Sequence, residues 1–115
     1  MPEIWKSSWG EIEAMLALQE ADRQFHYPIR HGTMRVGIYS PHGIDDQTAH
    51  DQDEIYIVAS GSGWFVHDAE RSPFRPGDVV FVRAGMPHRF EDFTDDFSTW
   101  VIFWGPLGGE PDSQI

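Results

Sequence analysis

Residues 50–61 read HDQDEIYIVASG, a histidine and a glutamate at the mouth of a strongly patterned strand that ends at a glycine. Side chains alternate across a strand, so Ile55 and Ile57 point one way while Tyr56 and Val58 point the other. Both faces are apolar, and the run TWVIFW at 99–104 has no polar face at all. A small β domain has one interior, so the second face needs a cover, either an N-terminal helix or another subunit. Five Trp and eight Phe in 115 residues favour a homodimer.

Working outward, apolar and aromatic runs fall at 25–30, 34–40, 54–60, 63–67, 78–83, 88–93 and 98–104. Their spacing of roughly ten residues, with Gly, Pro and Asp between them, predicts an all-β barrel or sandwich. SGSG at 60–63 reads as a tight hairpin, and Pro76-Gly77 as a turn. The stretch 40–53 is a long polar loop of the kind that carries function. Residues 7–24 hold the only good helix signal. Ser8 and Glu11 form a capping box, and Ile12, Met15, Leu16 and Gln19 mark one face. The predicted helix ends around 21–23, with Arg23 near its negative pole. The division that follows is a helical arm at 1–24, a barrel at 25–105 and a flexible tail at 106–115.

Composition narrows the function. The chain has 40% hydrophobic residues, enough for a core, and 8 Lys+Arg against 19 Asp+Glu, a formal net charge of -11. Nucleic-acid binding and adhesion to anionic lipid both need clustered positive charge, so neither is expected. Cysteine is absent, which excludes disulfides, thiolate chemistry and iron–sulfur clusters. No apolar run reaches the ~18 residues of a membrane span. The first eleven residues lack the pattern of a secretory signal, so the expected location is cytoplasmic. There is no G-x-S-x-G and no phosphate-binding glycine loop, which weakens hydrolase and nucleotide-dependent readings.

The chemistry that remains belongs to six histidines and the carboxylates. His50, Glu54 and His88 make two imidazoles and one carboxylate, a set suited to Fe, Mn, Ni or Zn as a divalent ion. Three protein ligands leave positions open for water and substrate. A histidine near a strand end is otherwise a surface or hydrogen-bonded residue. His26 and His31 read as core-edge histidines and His67 as exposed. The acidic pairs at 45–46, 51 and 53, and 95–96 read as solvated loop charges or as carboxylates supporting a metal site from behind. Alternation sends Asp53 away from the face of Glu54. Tyr39, Tyr56, Phe65, Phe81, Phe90 and Trp100 are pocket candidates. Arg35, if it points inward, is a clamp for a substrate carboxylate.

Two motifs resemble those of the cupin superfamily, specifically its small single-domain members. Glu54, six residues and Gly61 match the second half of the first cupin motif, with His50 on its second histidine and Thr48 where its first would stand. Gly43 lies one residue off the leading glycine. Gly77, five residues, Arg83-Ala84-Gly85, two residues and His88 follow the second motif, with Arg83 in place of its proline and Asp92 in place of its final asparagine. The resemblance covers about 34–105. It implies a double-stranded β-helix barrel of jelly-roll type with a divalent metal at His50, Glu54 and His88. Gln47, Thr48, Gln52, His42 or water would take the missing position, with water or Gln47 preferred. The implied function is dioxygenase, isomerase or decarboxylase chemistry on a small organic molecule. The alternatives are a non-catalytic ligand-binding or sensory barrel, and a metal-free isomerase with His50 or His88 as base.

Overall fold

The computed structural model describes residues 3–18, 25–45 and 47–112. One helix, α1 (Trp9–Ala17), precedes eight strands: β1 (Phe25–His31), β2 (Met34–Tyr39), β3 (Asp53–Ser60), β4 (Gly63–His67), β5 (Glu70–Phe74), β6 (Val79–Val82), β7 (His88–Glu91) and β8 (Ser98–Trp104). The strands form a five-stranded sheet in the order β1-β2-β8-β3-β6 and a three-stranded sheet in the order β5-β4-β7. The pairings are antiparallel. This is the all-β, two-sheet barrel with one helix that the sequence predicts.

Register explains where the core lies. Across the large sheet Arg35 pairs with Phe103, Phe103 with Glu54, and Glu54 with Val82. That row faces inward, and so do Tyr56, Val58 and Val101. With Phe65, Phe74, Phe90 and Phe97 they build the buried core between the sheets. The alternate row Val36, Ile102, Ile55, Phe81 faces outward. So does Ile38, Trp100, Ile57, Val79, and the helix covers one end of that row by packing Ile12 and Leu16 on Ile38 and Trp100.

Ser8 caps the helix as predicted: its hydroxyl accepts from the Glu11 N–H at 3.2 Å. The helix closes at Leu18, so Gln19 and the predicted end at 21–23 lie outside the described residues. Met15 stays half-exposed instead of packing inward.

Two strand expectations need correction. SGSG does not close a hairpin, because β3 and β4 belong to different sheets. Gly61 (φ +82°) turns the chain from one sheet to the other against Phe97, whose Cα would lie 2.5 Å from any added Cβ. β5, absent from the sequence reading, is an edge strand that is polar over 70–72, carries Pro73 and sends only Phe74 into the core. An edge tolerates a residue that cannot donate to a ladder.

Within the stretch expected to be a flexible tail, residues 106–112 make backbone contacts. Gly108 N–H donates to the Asp51 carbonyl (2.7 Å), and Glu110 N–H donates to the buried Asp53 carboxylate (2.8 Å). Among the described residues no helix is long and apolar enough to cross a membrane.

Candidate metal centre

Glu54 enters the barrel near the start of β3 and is fully buried. His88 opens β7 in the opposite sheet, and His50 lies in the loop before β3. The turn ahead of β7 reaches back to that loop, where Gly85 N–H donates to the His50 carbonyl at 2.8 Å. This backbone bond joins the two motifs. Gly85 adopts φ +79°, a conformation that disfavours a side chain.

The three side chains converge. One ligand atom from each of His50, Glu54 and His88 lies within 4.8 Å of the others. Glu54 Oε1 is 2.9 Å from His88 Nε2 and 3.9 Å from His50 Nε2. Despite this closeness neither Glu54 oxygen has a hydrogen bond of proper geometry. A buried carboxylate whose near donors are only the Tyr56 hydroxyl and a protonated His88 ring is poorly satisfied, and a cation between these groups would satisfy it. His88 is oriented for that task. Its Nδ1–H donates to the Met86 carbonyl at 2.9 Å, which leaves the Nε2 lone pair facing Glu54.

Gln47 joins the cluster. Its Oε1 lies 2.8 Å from His50 Nε2 and 3.2 Å from the Tyr56 hydroxyl. The orientation of the amide is fixed from behind, because its NH2 donates to Asp45 Oδ2 at 2.9 Å. A carboxylate only accepts, so the amide oxygen must face the histidine. Asp45 is therefore not a solvated loop charge. It is buried and also accepts from the Tyr39 hydroxyl (2.6 Å), Gln47 N–H (3.2 Å) and Phe90 N–H (2.8 Å). Of the two readings of the 45–46 pair, support of the site from behind is the one that its burial and bonds to Gln47 favour. The spacing Asp45-x-Gln47, which suits a side-chain turn, was the available signal.

The remaining candidates divide clearly. Thr48 is exposed. His42 is exposed in its loop, and the Gln52 amide donates to the Gly105 and Thr33 carbonyls. Tyr39, Tyr56, Phe65 and Phe90 are buried in the interior. Phe81 and Trp100 turn outward instead, Phe81 toward Trp104 and Trp100 toward the helix. Strand parity decides this, and a strand apolar on both faces does not reveal its parity. Asp53 points away from the centre, as predicted, and accepts from Ala84 N–H.

Electrostatics distinguish the two imidazoles. Burial lowers the pKa of His50, against the pull of Glu54. Burial opposes charge on His88 too, but the Glu54 carboxylate, the Met86 carbonyl and the charge of Asp45 outweigh it and raise its pKa. Tyr56, whose hydroxyl lies 3.0 Å from His88 Nε2, is held well above the usual phenol range by burial, then by Glu54 and Asp45. It keeps its proton.

A family model described as the Cupin domain matches residues 35–103. The chain belongs to the cupin family. It is 35% identical over 99 residues to an uncharacterized protein of Streptomyces coelicolor, across 84% of this chain and 91% of that one. It is 36% identical over 76 residues to the acireductone dioxygenase of Leishmania infantum, across 56% of this chain but only 22% of the dioxygenase. Among solved structures it resembles a cupin 2 conserved barrel domain protein from Salinispora arenicola, with 26% identity, a TM-score of 0.55 and 70% of each chain covered.

Proposed function

We propose that this cupin binds a divalent metal through His50, Glu54 and His88, with the Gln47 amide oxygen as fourth donor, and acts on a small organic molecule. The observation that carries the reading is the buried Glu54 carboxylate, unsatisfied by hydrogen bonds and faced by two imidazoles. Two nitrogens and two oxygens suit Fe, Mn, Ni or Zn. Such an ion supplies Lewis acidity and, if redox-active, oxygen chemistry.

The chain's own groups do the rest. Glu54 offsets positive charge, His88 is locked by Met86, and Asp45 holds Gln47 toward the site. Tyr56 stays protonated beside His88 Nε2 and can donate to an oxygen of a bound molecule. Phe65, Phe90 and Phe103 keep that side of the centre dry. The likeness to a dioxygenase favours oxygen chemistry over isomerisation or decarboxylation. The second reading is a ligand-binding or sensory barrel without turnover, favoured by the missing first histidine of the motif.

The outward row Ile102, Ile55 and Phe81, with Val79 beside it, is left uncovered by the helix and supports a homodimer. The test of the main reading is metal analysis after reconstitution. Close to one equivalent is expected for the wild type and little for a folded His88→Ala variant. Less than about one-tenth equivalent in the wild type would remove the reading. Oxygen uptake with candidate substrates separates the enzyme from the binding module.

A further inference from the structure

Arg35 lies on the inward row of the large sheet, beside its register partner Arg30 on the edge strand β1, which is exposed while Arg35 is half-buried. Its guanidinium carbon lies 4.3 Å from the Phe103 ring centroid and 5.3 Å from that of Tyr27. Contact with two rings fixes a planar cation without neutralising it. Its Nε is buried and has no hydrogen-bond partner. Among the described residues no carboxylate comes within ion-pair distance of it, whereas Arg71 pairs with Glu91 and Asp92, Arg83 with Asp112 and Arg89 with Glu91. In a chain with 19 acidic residues, an unpaired guanidinium in the interior calls for an anion from outside.

The position suits that role. The Phe103 ring that carries Arg35 also contacts the His50 ring at 5.0 Å. Arg35 and His50 are therefore separated by no more than the two ring distances together. Both keep partial exposure, so solvent reaches each of the two side chains. The negative charge of Asp45 is answered by its four donors, and that of Glu54 faces the histidines. Neither is directed at Arg35.

We propose that Arg35 receives the carboxylate of a small organic acid at the mouth of the barrel. The identity of that acid as the molecule acted on rests on the metal-centre reading above; the binding does not. A guanidinium donates two parallel hydrogen bonds to a carboxylate, which sets the acid's orientation as well as its affinity.

The test uses pyruvate as probe and neutral pyruvamide as control, on full-length protein stripped of metal. The Nε–H of Arg35 is followed by 15N NMR while each is titrated. Pyruvate is expected to move that resonance and to bind about tenfold or more tighter than pyruvamide. Arg35→Gln should abolish the preference. Arg35→Met keeps the apolar stem and serves if the glutamine variant misfolds. Equal binding of the two probes by the wild type, or preference retained in a folded variant, overturns the proposal. Mn(II) titration of the same variants keeps the two readings apart. Metal uptake should be unchanged by Arg35→Gln, and its absence from the wild type would remove the metal centre while leaving the anion site standing.

Discussion

Replacing Glu54 with Gln should make the metal-free protein more stable and the metal-loaded protein less so. The wild-type carboxylate is fully buried, and neither oxygen has a hydrogen bond of proper geometry. A buried polar group left unmade costs about 1–3 kcal/mol, and more when charged. The isosteric amide removes the charge and can donate from its nitrogen to His88 Nε2, 2.9 Å from Glu54 Oε1 in the wild type. A gain of about 2 kcal/mol is the expectation, which for a chain of this length raises Tm by roughly 8 °C. Mn(II) at a hundredfold excess over Kd should stabilise the wild type by about 2.7 kcal/mol, and the variant hardly at all. The two melting curves therefore exchange order when metal is added. Thermal melts with and without Mn(II), repeated at rising pH so that His88 loses its proton, make the measurement. The metal-free advantage should shrink at lower pH, where protonated His88 pairs with Glu54. A variant that melts below the metal-free wild type at the higher pH would show that Glu54 serves the fold. A variant that still responds to Mn(II) would show that it is no ligand.

Other outcomes follow from the same geometry. Asp45→Asn offers one acceptor oxygen where two now take four bonds, so it should weaken metal affinity about 10–100-fold through Gln47. Isothermal titration would detect that loss, and metal affinity unchanged in a folded variant would exclude the linkage. Metal uptake should release a proton from His88 as pH falls through its raised pKa, so affinity drops on acidification, starting above the ordinary histidine value of 6.5. Calorimetry in two buffers of different ionisation enthalpy reads that proton directly. In the metal-free protein the sign is opposite: the stability from His88 is complete below its unfolded pKa and is lost as pH rises through its folded pKa. Phe81→Asp, at a residue half-exposed on the outer sheet face, should convert a dimer to a monomer of 13.2 kDa with the fold intact. Sedimentation decides this, and a monomeric wild type would refute the dimer.

How much of this was legible depended on the range of the signal. The capping pair Ser8 and Glu11 is local and reads directly. The glycine and histidine spacing in 77–88 also reads directly, because backbone conformation imposes it. The pairing partners of β3 and β4 did not read, since a glycine turn looks the same whether it closes a hairpin or crosses between sheets. β5 did not read because an edge strand needs neither apolar alternation nor freedom from proline. The outward direction of Phe81 and Trp100 is a matter of parity, and strands apolar on both faces do not show it. The support of Gln47 by Asp45 required knowing that a loop folds inward.

The distribution of the three candidate ligands between layers has a mechanical consequence. Glu54 belongs to the five-stranded sheet and His88 to the three-stranded one. A shared ion would rivet the two layers at one end of the barrel, whereas the aromatic core holds them only by contact along its length. Amide protons of β4 and β7 would then exchange more slowly in the loaded state, as a small barrel becomes two sheets bolted at the rim.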